Sequence, residues 1–227
     1  MTRDDEGTPM ESETLPAAAG PPEEEGRSAQ KRRAIMEAAT EAFLRSGYLG
    51  TSMDEIAAEA GVSKQTVYKQ FADKERLFTE IVLGTIDHVG EPFFTGLGTL
   101  EESADLEADL RQIARRLVDV VRDPRLLQLR RLVIGEAERF PELGRAYYER
   151  GPGRSTEMLA AQFEQLAQQG ILDVDDPLLA AEHFNWLVLS IPLNRAMFSV
   201  EVKFSAAELE RYADQAVRVF LAAYTQS

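Results

Sequence analysis

Between Ser28 and Ser46 the apolar positions Ile35, Ala38, Ala39, Ala42 and Phe43 recur at helical spacing, with Lys31, Arg32 and Arg33 at the N-terminal end and Gly47 as a stop. A shorter pattern follows at once. Ser52 with Glu55 three residues on forms a capping box, Ile56, Ala57 and Ala60 give an apolar stripe, and Gly61 most readily takes the left-handed conformation that closes a helix. Ser63 offers the next N-cap, and Val67 with Phe71 continues an apolar face while Lys64, Gln65, Tyr68 and Lys69 point largely elsewhere. Asp73 caps a further helix that opens with Lys74 and Glu75 and runs through Leu77, Phe78 and Ile81. Two short helices joined by a glycine-containing turn are the arrangement that lays its second helix in a DNA groove. An ordinary helical hairpin with solvated lysines would carry the same pattern. The helix at 28–46, able to back the pair with its apolar side, favours the DNA-binding reading.

Beyond Ile81 the pattern is helical throughout, with no strand-like alternation and no internal repeat. Leu106 to Arg122 places Leu110, Ile113, Leu117 and Val121 on one face; Arg125 to Glu138 does so with Leu129, Leu132 and Val133; Pro141 opens a short helix through Tyr148. Gly151, Pro152 and Gly153 are expected to break the run, which resumes from Arg154 to Gln169 with Met158, Leu159, Phe163 and Leu166 and ends at Gly170. Asp176 and Pro177 open a helix whose segment LLAAEHFNWLVLSI is apolar on nearly every side and must be covered on most faces. Ser205 and Glu208 form another capping box, and the helix after it carries a broad stripe from Leu209 through Ala213, Ala216, Val217 and Phe220 to Tyr224. The expected fold is all-α: a three-helix DNA-binding domain with a helix-turn-helix at 27–80, then a larger helical domain at 81–227, to which the resemblance described next assigns ligand binding and dimerisation.

The ordered run of Ile35, Ala38, Ala39, Phe43, Gly47, Tyr48, Thr51, Ile56, Ala57, Ala60, Gly61, Val62, Ser63, Tyr68, Phe71, Lys74, Leu77 and Phe78 resembles the N-terminal pattern of the TetR/AcrR-family transcriptional regulators. RFPEL at Arg139–Leu143, and AAEHF through PLNRAMF at Ala180–Phe198, resemble the C-terminal domain of the AefR-like branch. The resemblance implies a helical DNA-binding domain, a dimer formed by the helices at 177–191 and 206–224 with their symmetry mates, and repression as the commoner habit. It also implies a hydrophobic or amphipathic effector. A dimer presents two reading helices and calls for a near-palindromic operator with half-sites about 34–36 Å, or a multiple, apart. The alternative for the last two helices is that they pack only within one chain.

Charge narrows the DNA reading. The chain carries a net −14, which opposes a nucleic-acid partner if spread evenly. It is not spread evenly: residues 1–26 hold one basic and eight acidic side chains, 27–80 hold nine and eight, and 81–227 hold fifteen and twenty-three. The only segment that is not acidic is the one with the helix-turn-helix. Within it the triple including Arg32 and Arg33, together with Lys64, Lys69 and Lys74, is available for phosphates. Gln65 and Thr66 are short and forward enough to meet base edges, since Gln pairs bidentately with adenine and Thr touches the thymine methyl. Thr51 and Lys74 stand at helix starts that favour an anion, and Tyr68 matches the position with which the family grips the backbone. Family members carry other residues where Gln65 and Thr66 stand, so the operator sequence does not transfer. The first 26 residues, with four prolines and no aromatic, read as a disordered acidic tail.

Other classes fall away. With no cysteine and only His88 and His183, no nucleophile pair or metal cluster can be assembled from spacing, so an enzyme, a metal and a cofactor are not expected. No run approaches a membrane span of about 18 apolar residues, and no secretory signal is visible, so the cytoplasm is the expected compartment. Met158, Phe163, Trp186 and Phe198, with His183 and Asn194, are candidates to line an effector cavity in the helical domain, joined by Ile191, Met197 and Asn185. The same residues serve equally as plain core. The function expected is a dimeric repressor released from duplex DNA by a small molecule; the rival is a helical protein-interaction module of the same fold that no longer binds DNA.

Overall fold

A computed structural model describes residues 22–95, 100–201 and 203–225, and among these every regular element is helical. The chain runs α1 (Pro22–Gly50), α2 (Met53–Glu59), α3 (Lys64–Gln70), α4 (Lys74–Thr95), α5 (Leu106–Val118), α6 (Pro124–Glu136), α7 (Pro141–Tyr148), α8 (Arg154–Gln168), α9 (Pro177–Phe198) and α10 (Ala206–Tyr224). The sequence predicts a tail over 1–26; most of it lies outside the described residues, and its last five residues already belong to α1, which proline at a first helical position permits. The predicted stop at Gly47 is a kink with φ 72° and ψ 174°, conformations only glycine adopts cheaply.

Two apolar cores form. In the first, Ile35 and Phe43 of α1, Ile56 of α2, Val67 of α3 and Phe78 of α4 are buried together. Phe43 and Phe78 meet edge-on with ring centroids 5.1 Å apart, and Tyr48 meets Phe140 at 4.7 Å. This core does not stop at the expected boundary near residue 80, because α4 runs through it and Leu129, Val133, Leu143 and Tyr147 of α6 and α7 join the same cluster. The second core gathers Leu110 and Ile113 of α5, Leu159 and Phe163 of α8, Phe184 and Val188 of α9, and Val217 and Phe220 of α10. Phe163 and Phe184 both pack on Phe220, with centroids 4.9 and 5.2 Å away.

One expectation is corrected here. Gly151, Pro152 and Gly153 do not break the helix: Glu149–Gly153 makes one wide π turn that joins α7 directly to α8. The wider ladder tolerates the missing N–H of Pro152, and the proline carbonyl accepts from the hydroxyls of Ser155 (3.0 Å) and Thr156 (2.9 Å). Within the single chain, α9 is buried on one face only, by Ala180, Ala181, Phe184 and Val188 among others. Leu178, Leu179, Leu187, Ile191 and Phe198 remain exposed, Phe198 by 89%. By contrast the stripe on α10 is taken up in the chain's own core, leaving Val219 as its exposed large apolar residue.

Candidate nucleic-acid interface and effector cavity

The helix-turn-helix is set by its caps. Ser52 Oγ accepts from the Glu55 backbone N–H at 3.1 Å, but the return half of the predicted box is missing, because the Glu55 carboxylate takes Arg45 at 2.8 Å instead. Gly61 has φ +65°, and the backbone N–H groups of Gly61 and Val62 donate back to Ala58 and Ala57 at 3.2 and 3.0 Å. Ser63 Oγ accepts from the Thr66 N–H at 3.2 Å and lies 2.8 Å from Thr66 Oγ1. Val67 and Phe71, both buried, pin the inner side of α3. Its outer side therefore has one rotational setting, and Lys64, Gln65, Tyr68 and Lys69 stand exposed on it. Thr66 is half-buried beside its cap.

These side chains differ in what already holds them. Lys64 pairs with Asp54 of α2 at 2.7 Å, and that bond keeps the ammonium pKa above its ordinary value. Gln65 and Lys69 have no side-chain partner among the described residues, and Arg33 is likewise exposed and unpaired. Three of the residues assigned to phosphates from the sequence are engaged inside the domain. Arg32 lies over the Phe71 ring at 4.3 Å, donates to the Gln70 carbonyl at 3.3 Å and pairs with Glu80, tying α1 to α3 and α4. Thr51 is only 2% exposed and its hydroxyl donates to the Gly47 carbonyl at 2.9 Å. Lys74 donates to the carbonyls of Tyr48 (2.9 Å) and Thr51 (2.8 Å) and covers the Tyr48 ring at 4.4 Å. The reason is local: the kink at Gly47 frees helix-end carbonyls, and a nearby hydroxyl and ammonium satisfy them. Thr51, Lys64, Tyr68 and Lys74 nonetheless line one shallow depression of about 360 Å³ beside the start of α3.

A larger cavity, about 730 Å³, lies between α4, α5, α6, α7, the π turn, α8 and α9. Its volume is that of a small-molecule site. Of the six residues chosen from sequence only Trp186 lines it, with Asn185 from the wider polar set. Phe163 is fully buried in the aromatic core, and Met158 is packed against that core. His183 Nδ1 lies 2.6 Å from the Tyr224 hydroxyl, Asn194 Nδ2 donates to the Ser190 carbonyl at 2.6 Å, and both side chains are exposed, as is Phe198. The cause is helical phase: Asn185, Trp186, Leu189 and Leu193 share the cavity side of α9, whereas His183, Asn194 and Phe198 fall outside that arc and Met158 and Phe163 of α8 turn to the second core. Composition alone does not reveal phase. Tyr147, Arg130 and Ile86 also line the cavity and were not singled out from sequence. The nearest signal was Gly151, whose added Cβ would stand 2.7 Å from Ile86 Cδ1.

Ile86 and Tyr147 belong both to the cavity wall and to the core beneath the helix-turn-helix. Arg150 of the π turn pairs with Asp87 of α4 at 3.1 Å. The cavity thus abuts the helix that leads out of the DNA-binding unit.

Comparison with known proteins agrees with this layout. Residues 35–81 match the family described as bacterial regulatory proteins, tetR family, and residues 108–226 match the AefR-like transcriptional repressor C-terminal domain. A solved TetR-family regulator from Mesorhizobium loti is 50% identical, with 88% of this chain and 99% of that one covered and a TM-score of 0.79. The flavonoid-responsive regulator FrrA is 32% identical over 87% of this chain and 98% of its own, with a TM-score of 0.71. The HTH-type regulator YhgD of Bacillus subtilis is 46% identical over 54 residues, 24% of this chain, and the match spans only 28% of YhgD. That match is short, whereas the two solved structures are covered almost end to end. The chain belongs to the TetR family of DNA-binding transcriptional regulators, a non-enzymatic family, and carries an AefR-like C-terminal domain.

Proposed function

We propose that the protein is a homodimeric repressor that binds a near-palindromic operator through α3 and is released by a small hydrophobic or amphipathic effector held in the 730 Å³ cavity. The observation that carries the reading is the outer face of α3, where Gln65 and Lys69 stand exposed and unpartnered on a helix fixed from behind by Val67 and Phe71. Lys69, Lys64 and Arg33 contact phosphates, Tyr68 grips the backbone, and Gln65 reads a base edge with Thr66 beside it. Arg32, Thr51 and Lys74 act as positioning residues, holding α1, α2 and α4 so that the phosphate contacts come into register. The uncovered apolar side of α9 supports a second copy as its cover. A repressor is favoured by the description of the matching C-terminal domain, and a ligand-gated one by the name of FrrA. Such a protein acts where the chromosome is, in the cytoplasm.

The test is a gel-shift series with DNA flanking the protein's own gene. Lys69→Ala is expected to weaken all duplexes alike and to lower the salt dependence by about one counterion. Gln65→Ala is expected to relax choice at a single base pair, by about 1–3 kcal/mol of discrimination. Identical specificity profiles for the two variants contradict the division of roles, and no retarded band even at low salt favours an interaction module instead.

A further inference from the structure

We infer that the effector is a planar, hydroxylated aromatic compound with one acidic oxygen, which places that oxygen on Arg130 and a hydroxyl donor on Asn185; this deepens, and rests on, the cavity reading above. Three observations converge on that chemistry.

The first is a charge without a counter-ion. Arg130, half-buried on the cavity wall, makes no hydrogen bond or ion pair among the described residues. Acids on the same wall are occupied or wet. Asp123 is held as the N-cap of α6, its Oδ1 accepting from the N–H groups of Arg125 and Leu126 at 2.9 and 3.1 Å. Asp119 pairs with Arg122 at 3.3 Å, and Glu182 is exposed to solvent. A half-buried guanidinium is costly unless something anionic meets it, and its planar fork suits an oxyanion.

The second is an acceptor without a donor. Asn185 Nδ2 donates to Thr156 Oγ1 at 2.8 Å, while Asn185 Oδ1 is buried with no hydrogen-bond partner. Both residues line the cavity, so a hydroxyl entering there is the missing donor.

The third is the shape of the apolar wall. Trp186, Tyr147 and Tyr148 are all at the cavity, and flat faces accept a flat guest by offset stacking. Tyr147 is held protonated by burial, which raises its phenol pKa against the smaller opposing pull of Arg130. No hydrogen bond occupies its hydroxyl among the described residues, leaving a neutral donor beside the cation. A fatty carboxylate would meet Arg130 but bring neither a donor for Asn185 Oδ1 nor a flat face for the aromatic wall.

Trp186 is the chain's single tryptophan, so its emission reports the cavity directly. The full chain is titrated with four probes: a trihydroxyflavone, its fully O-methylated counterpart, dodecanoate and tetraphenylphosphonium. The hydroxyflavone is expected to quench Trp186 and to release operator DNA, with the methylated form about tenfold weaker or worse for loss of charge-assisted bonds. Arg130→Met and Asn185→Leu should each weaken the hydroxyflavone by about tenfold, Arg130→Lys should recover part of the loss, and circular dichroism should confirm that all three variants fold. Quenching by dodecanoate or the phosphonium but not by the hydroxyflavone overturns the assigned class and leaves an effector cavity standing. Hydroxyflavone binding that ignores both substitutions overturns the assigned residues. No response to any probe, in emission or in DNA binding, overturns the inference together with the effector reading beneath it.

Discussion

At the scale of single residues, the reading helix is restrained by its own domain. Lys64 lies at the start of α3, where a DNA phosphate would meet it, yet it is paired with Asp54 at 2.7 Å. An exposed pair of this kind is weak and screened by salt, so a phosphate can displace the carboxylate, but it must do so on every encounter. If Lys64 meets a phosphate as proposed, Asp54 lowers affinity most where base contacts do not compensate, on non-operator DNA. Asp54→Asn is expected to strengthen non-specific binding several-fold while improving operator binding less, read as a fall in the ratio of the two affinities at fixed salt. An unchanged ratio removes Asp54 from this role. Arg32, Thr51 and Lys74 teach a related lesson: each has the right chemistry for a phosphate, and each is consumed by carbonyls, a ring or a carboxylate of its own fold. Residue type at a helix start does not tell an anion site from the repair of a kinked helix end.

At the scale of elements, caps and phases decide what could be read beforehand. The Ser205–Glu208 box is complete, with Glu208 Oε2 accepting from the Ser205 N–H at 3.0 Å and Ser205 Oγ accepting from the Glu208 N–H at 3.2 Å. Those bonds hold the Glu208 carboxyl below its ordinary pKa. A depressed folded pKa contributes stability above the unfolded value, lost as pH falls through the folded one. Ser205→Ala should thus lower Tm at neutral pH, and the gap to the parent should narrow below about pH 4, where Glu protonates. Gly151→Ala acts on the π turn: its Cβ would stand 2.7 Å from Ile86 Cδ1, inside contact distance, so α4 or the turn must shift. Overpacking of this sort costs about 1–3 kcal/mol, seen as a lower Tm, and a changed operator affinity is expected because Ile86 sits in the reading domain's core. Caps, glycine stops and the stripes of α1, α5 and α10 were legible because each is a local property of a few residues. The cavity was not, since it depends on which arc of α9 faces α4 to α8 and on Arg130 and Tyr147, which sequence spacing does not bring together. The π turn was missed because a Gly-Pro-Gly run normally ends a helix, whereas here the Pro152 carbonyl is met by Ser155 and Thr156 and Gly151 fits closely against Ile86.

At the scale of the whole molecule, one acidic chain has to bind an acidic polymer. With a net charge of −14, and with near balance only across 27–80, nonspecific attraction to DNA is poor, which the proposed dimer would offset by presenting two reading helices together. The exposed side of α9 is the surface proposed to join them, since the stripe of α10 is already buried in the chain's own core. Replacing Leu187 and Ile191 by Glu is expected to give a folded single chain by sedimentation and to abolish operator binding, whereas a dimer that survives both changes moves the interface elsewhere. The most direct test of the account is selection from random duplex DNA with the intact protein, followed by native mass spectrometry of the winning complex. The account predicts enrichment of a near-palindrome with half-sites one helical turn or a multiple apart, bound by an even number of chains; a pool that stays random at low salt, or a complex with one chain per duplex, contradicts it.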